Sequence, residues 1–447
     1  MAYLVCWIVL GFALVMTLAG GVGPAFAAAY LPALLLLGPA DRAPIPLLPL
    51  FNPAWAALLG VALIWSLQSG KTKLGWCAVD ALVLLVAVWS GVATAINSGG
   101  VHAGQTVGFR NLLNWAVPFL MARAAARSAD GRRLMLASVA VCIVLIGLVG
   151  TFESRAWPGF WEWVLHKVGL RAFFGGRPLL RYGFYRAHVS LIHPIYLSNS
   201  AVIVGAMVLM LSATTRSGSR RLLAGIGTAG AILAIVAAVS FSGLNGLAAS
   251  VLAFAALTRM SVVRRRLWIF LLAAMMSGVG VTFALRNVDA TRSEDMPPWE
   301  DSLRVRAAIV QDKWPMITTA GFFGYGEFAS PEQYEQLGVE RGSTDNSYLV
   351  FIIFYGWSFL GLWMLMLLIW ARRMSVAMEL CRTKRVRTAL TIGTAVVLGM
   401  LVSMYTVWAS PAYTTLWFVL MGCTVSVAQE SQVLAVEGAM CGDRAGR

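Results

Sequence analysis

Residues 134–152 read Leu134-Met135-Leu136-Ala137-Ser138-Val139-Ala140-Val141-Cys142-Ile143-Val144-Leu145-Ile146-Gly147-Leu148-Val149-Gly150-Thr151-Phe152, a run without a charge. Arg132 and Arg133 stand before it, Glu153 and Arg155 after it. At about 1.5 Å per residue, a helix of this length crosses the roughly 30 Å hydrocarbon layer of a bilayer. Comparable runs occur at 3–19, 24–38, 50–67, 75–96, 105–122, 190–212, 222–239, 242–258, 267–285, 346–370, 388–408 and 411–428. Gly20, Gly21, Gly23 and Pro24 separate the first two, as a tight hairpin or one broken element, so 12 or 13 spans are expected. Hydrophobic residues make up 59% of the chain and charged ones 12%, with mean hydropathy +0.74. A soluble domain carries about 25% charge, which this chain lacks. The expected fold class is all-α: one polytopic transmembrane helical bundle spanning 1–447.

Ala25-Phe26-Ala27 resembles a signal-peptide cleavage site, but Arg42 is the only Lys or Arg before Lys71. Without a positive n-region the first run is expected to stay as a span.

The net charge of +15 is distributed asymmetrically. Alternate loops collect Lys71 and Lys73; Arg123, Arg127, Arg132 and Arg133; Arg216, Arg220 and Arg221; Arg259 and Arg264 to Arg266; and the cluster from Arg372 to Arg387. With the tail, this set holds 21 basic and 6 acidic residues, against 14 and 14 in the other set. By the positive-inside rule the first set is cytoplasmic, so the excess charge records topology and no nucleic-acid partner is expected. Cys6, Cys77, Cys142 and Cys423 fall in spans, Cys381 and Cys441 on the basic side, with no C-x-x-C. Neither a disulfide framework nor a zinc site is indicated.

Two long segments then face outward, 153–189 and 286–345, and His102, His166, His188 and His193 lie there or at span mouths. The first carries Trp157, Trp161 and Trp163, suited to the headgroup level. It also carries six cationic residues against two acids, Arg181 and Arg186 among them. Arginine offers a planar fork of donors that matches phosphate, so a phosphorylated lipid headgroup is the natural ligand.

In the second segment Leu303, Ala307, Val310, Trp314 and Ile317 recur at helical spacing as one apolar stripe, with Arg304 and Arg306 off it. Ser330-Pro331-Glu332-Gln333 reads as a helix start and Gly338 as its end. Gly321-Phe322-Phe323-Gly324-Tyr325-Gly326 is a glycine-studded turn between the two helices. The pairs Glu294-Asp295 and Glu300-Asp301 read as solvated charge; no metal and no cofactor is expected. Asp345 precedes span 346–370 and suits a helix N-cap, a role compatible with chemistry.

These features in order resemble the O-antigen ligase and Wzy-type polysaccharide polymerase superfamily of bacterial inner membranes. The resemblance rests on Arg186 before His193-Pro194-Ile195, and on the turn Ser240-Phe241-Ser242-Gly243. It continues through Arg304 or Arg306, Trp314, Pro315, Gly324 and Gly326 to Asp345-Asn346-Ser347-Tyr348-Leu349 ahead of Gly356 and Gly361. It covers roughly residues 70–425. It implies an inner-membrane glycosyltransferase that takes an undecaprenyl-pyrophosphate-linked oligosaccharide on the periplasmic face, without nucleotide sugar or metal. Chain-length regulators and export proteins are the implied protein partners, beside membrane lipid.

Such chemistry needs positive charge for the departing pyrophosphate and a base for the attacking hydroxyl. Arg186 and Arg304 are the implied catalytic cations and Asp345 the implied base, with Glu327 and Glu340 in reserve. Arg181, Arg306, His193, Asn346, Tyr348 and Glu327 are implied to bind substrate. Ligases resemble one another in a His where this chain has Asp345 and an Arg where it has Gly243. The leading expectation is therefore a polymerase of exopolysaccharide or O-antigen repeat units, with a ligase next. A transporter fits less well, because its ionisable groups belong inside the spans, where this chain shows only Asp80 at a mouth.

Overall fold

A computed structural model describes residues 2–37, 43–45, 48–67, 75–167, 170, 180–191, 193–215, 218–258, 271, 282, 284–289, 298–328, 331–337, 339, 346–381, 383–404 and 411–445. The chain is an all-α polytopic membrane protein. Helix α1 spans Ala2–Gly20, and α2 (Val22–Leu37) packs back on it after a break at Gly21, where φ is +81°. The hairpin alternative for the first two runs is thus the one adopted. Two π turns, Phe26–Tyr30 and Ala33–Leu37, widen α2. Then come α3 (Pro53–Leu67), α4 (Ala78–Thr94) and α5 (Gly100–Asn111). A π turn at Leu112–Ala116 joins α5 to α6 (Val117–Ala125). The opening run lies in α7 (Ala129–Arg155), which starts where the Ser128 hydroxyl accepts from the Gly131 amide at 2.9 Å.

After the short α8 (Phe160–Lys167) come α9 (Pro194–Thr214), α10 (Arg220–Ala238) and α11 (Phe241–Thr258). The second long loop holds α12 (Pro298–Thr319) and α13 (Pro331–Gln336), followed by α14 (Ser347–Leu380), α15 (Lys384–Ser403) and α16 (Pro411–Ala445). Hairpins β1–β2 (Ala43–Ile45, Leu48–Phe51) and β3–β4 (Leu180–Arg181, Phe184–Tyr185) are the strands among the described residues. Seven described helices are long and apolar enough to cross a membrane, and Leu4–Gly20, Val22–Leu37 and Pro53–Leu67 are apolar but shorter. Most of the run at 267–285 lies outside the described residues.

Packing follows the rules of a lipid solvent. Large apolar side chains such as Trp7, Leu148, Val236 and Leu252 point outward from the bundle. Inside, small residues let backbones touch: a Cβ built on Gly147 of α7 would lie 2.4 Å from the Gly230 carbonyl oxygen of α10.

The bundle has two dissimilar ends. At the basic end the Arg123 guanidinium pairs with Asp80 and donates to the Gly75 carbonyl at 2.6 Å and to Gln429 Oε1 at 2.8 Å. Asp80 is fully buried, so the expected interfacial charge is instead a clasp joining α4, α6 and α16. Arg132 of α7 meets Glu430 of α16 at 2.8 Å. The opposite end collects the start of α9, the α10–α11 turn, the start of α14 and the end of α15. Both long loops attach there.

Candidate functional site

The first loop returns to the bundle through the β3–β4 hairpin, where Arg181 pairs with Phe184. Its two central residues, Tyr182 and Gly183, have φ of 53° and 79°, the two-residue hairpin geometry that needs positive φ twice. The turn lays Arg181 over the Phe241 ring, 5.1 Å from its centroid, with Nη1 donating to the Val239 carbonyl at 3.4 Å. Arg155 sits 4.2 Å above the Phe184 ring. Arg186 follows, half-buried, and its Nε is enclosed without a hydrogen-bond partner among the described residues. Burial, and after it the charge of Arg181, pulls the Arg186 guanidinium down to about 10, which leaves it charged at neutral pH. Arg123 and Arg132 each meet a carboxylate. Arg186 makes no such ion pair among the described residues, so a bound anion would lower the cost of its burial.

What holds this loop in place is Glu153, which the sequence did not single out. Its carboxylate is buried at the end of α7 and accepts from the amides of Trp161 (2.9 Å), His188 (3.3 Å) and Val189 (3.0 Å). Ala187 N donates to the Ala237 carbonyl at 3.1 Å, and the Ser190 hydroxyl donates to the Leu35 carbonyl. Trp161 Nε1 donates to the Leu36 carbonyl at 2.9 Å, so this tryptophan is a structural tie. Trp157 and Trp163 stay exposed, as headgroup-level residues would.

A second group lies at the start of α9 and α14. His193 caps α9, its Nδ1 accepting from the Ile195 amide at 3.2 Å, with Pro194 at the first helical position. Its ring neighbours Tyr196, which stacks on Tyr413, and the Tyr413 hydroxyl lies 3.2 Å from Ser347 Oγ. The cap of α14 is Asn346, one residue later than the Asp345 cap expected. Its Oδ1 reaches the amides of Tyr348 (3.0 Å) and Leu349 (3.3 Å), while its buried Nδ2 has no partner among the described residues. Tyr348 is buried and its hydroxyl donates to the Leu401 carbonyl at 3.1 Å. Asp345 and Glu340 lie outside the described residues. Asn199, Ser242 and Ser403 hydrogen-bond to one another nearby. Gly243 is locked into this packing, since a Cβ there would come within 2.6 Å of the Ser198 side chain.

The second loop docks into a break in α14. Gly356 has φ +83° and ψ 174°, which interrupts the helix and strips its neighbours of internal hydrogen bonds. The glycine-studded turn replaces them. Tyr325 N and Gly326 N donate to the carbonyls of Ile353 (2.7 Å) and Phe354 (2.9 Å). Trp357 N and Ser358 N donate to Gly321 O (3.2 Å) and Phe322 O (3.4 Å). Trp89 of α4 stacks on Phe323. Next in the chain, Glu327 forms an ion pair with Arg110 of α5 and accepts from the Tyr355 hydroxyl at 3.1 Å. Arg110 falls inside an expected span, and the sequence reading passed over it.

Helix α12 buries Ala307, Val310 and Ile317, with Trp314 half-buried, but leaves Leu303 exposed at the stripe's outer end. It packs on the first turns of α14 through Leu349, Ile352 and Ile353. Arg304 reaches Asp289 at 3.4 Å, and Arg306 is half-buried beside it in sequence. Arg181 and Arg186 thus form one group, and His193, Asn346 and Tyr348 another, with the α10–α11 turn and the end of α15 between them. Glu327 stands apart with Arg110. Among the described residues no His, Cys, Asp and Glu cluster fits a metal ion. No protein-family model matches the chain, and no curated protein matches it.

Proposed function

We propose that the chain is a glycosyltransferase of a bacterial inner membrane, extending an undecaprenyl-pyrophosphate-linked glycan by whole repeat units on the periplasmic face. The observation that supports this reading is Arg186, a half-buried cation beside Arg181 with no carboxylate paired to it among the described residues, at the end of the bundle that the positive-inside rule would assign to the periplasm. The acceptor sugar hydroxyl attacks the anomeric carbon of the donor. The bond from that carbon to the phosphate oxygen breaks, and its electron pair leaves on the pyrophosphate, whose charge Arg186 and Arg181 balance. The hydroxyl proton goes to Asp345. Arg304 and Arg306 would add positive charge from the second loop, and His193 and Asn346 would contact sugar.

Polymerase is preferred to ligase because Asp345 replaces a His and because Gly243 has no room for an Arg side chain. Lipid-linked glycans of a deletion strain test the choice. Single repeat units are expected; long chains left on undecaprenyl pyrophosphate would overturn it in favour of a ligase. The broken α14 and the Arg110–Glu327 pair inside the bundle favour a carrier as second reading. Purified protein that flips a lipid-linked glycan in liposomes without extending it would establish that reading instead.

A further inference from the structure

Between α2 and α7 runs an apolar groove of about 420 Å³. Pro24, Ala28 and Pro32 form one wall, and Leu134, Ala137 and Val141 the other. Leu134 and Val141 are 41% and 51% exposed, so the groove opens on the lipid-facing side. Its existence has a local cause. The small side chains of Ala28 and Ala137 leave space between the helices, and α2 carries two π turns, a backbone feature that recurs at functional sites.

Leu36, near the C-terminal end of α2, also lines the groove. Its carbonyl accepts from Trp161, and the neighbouring Leu35 carbonyl accepts from Ser190, four residues after Arg186. Glu153 fixes Trp161 and the 188–189 segment together. An apolar slot in the membrane therefore ends beneath the same loop that presents Arg181 and Arg186. That is the arrangement an amphiphile with a phosphate head and a long apolar tail requires. We propose that this groove seats a stretch of the polyprenyl chain whose phosphate group lies at Arg181 and Arg186, an inference that rests on the donor class proposed above. Hydrocarbon gains nothing merely by leaving lipid, so selection here is by shape, a methyl-branched chain against straight acyl chains.

The test uses the full chain in nanodiscs with a polyprenyl phosphate carrying a photoreactive group in its chain. Adducts are expected within 24–36 and 134–142, suppressed by excess undecaprenyl phosphate and spared by phosphatidylglycerol. Equal suppression by phosphatidylglycerol, or adducts confined elsewhere, overturns the proposal. Ala137→Phe should lower adduct yield roughly tenfold; if that variant misfolds by size-exclusion, Ala28→Leu serves instead, and an unchanged yield counts against the groove. The two proposals fail separately. Groove adducts together with a deletion strain that polymerises normally would remove the polymerase and keep the lipid site. Absent adducts with single-repeat intermediates in the deletion strain would do the reverse.

Discussion

Gly324 and Gly356 meet backbone to backbone. A Cβ built on either would come within 2.6 Å of the other's amide nitrogen. The contact lets an extended loop segment occupy a helix break, and only residues without a side chain allow it. The second loop is thereby part of the bundle at this point.

Gly356→Ala should therefore cost roughly 2–4 kcal/mol, combining a close clash with a positive φ. Gly361→Ala, where a Cβ meets open space, should change stability by less than about 0.5 kcal/mol. Thermal unfolding of both variants in detergent checks this, and equal losses would mean the docking is unimportant.

Arg110 and Glu327 should be energetically coupled. Their side chains are 25% and 16% exposed, so solvent screens them only in part. Arg110→Ala, Glu327→Ala and the double variant should give a coupling of about 1–2 kcal/mol. Additive losses would reduce the pair to a surface contact.

Glu153→Gln should loosen the first loop. A carboxamide replaces one acceptor oxygen by an NH2 group facing amides that also donate, leaving at least one of three buried N–H groups unpaired, at about 1–3 kcal/mol. Limited proteolysis should cut between 156 and 191 faster than in the parent chain. An unaltered cleavage rate would show that the amides one carboxamide oxygen can still serve, those of His188 and Val189, suffice to hold the loop.

Arg186→Ala and Asp345→Asn should each abolish polymer while the protein still inserts in the membrane. Arg186→Lys keeps a charge but loses the planar fork and should recover only part of the activity. Gel profiles of surface glycan read the result; normal chain length in either of the first two variants removes that residue from the site.

The spans were legible because lipid demands long uncharged runs, and the 134–152 run sits wholly within α7. The α12 stripe was legible for the same periodic reason, from Ala307 to Ile317, failing only at Leu303 where the helix end is open. The run expected at 190–212 begins four residues ahead of Pro194, where α9 starts. Arg110 and Glu153 were not legible as partners, because their meaning lies in residues far along the chain, Glu327 for one and the 188–189 amides for the other. The break at Gly356 was equally hidden. A glycine in an apolar run reads as a soft helix position until the segment that fills the gap is placed beside it.

The clasp at the basic end bears on the order in which the chain can complete itself. Arg123 and Arg132 emerge early in synthesis, while Gln429 and Glu430 belong to α16, 306 and 298 residues later in the chain. Until that helix arrives, Arg132 lacks its acid, and Arg123 has Asp80 but not its amide partner. The contacts of these arginines are thus completed only when α16 is in place. Release of the nascent chain before α16 would leave a bundle with its helices threaded and its closing contacts missing, the kind of intermediate that membrane quality-control proteases are suited to remove.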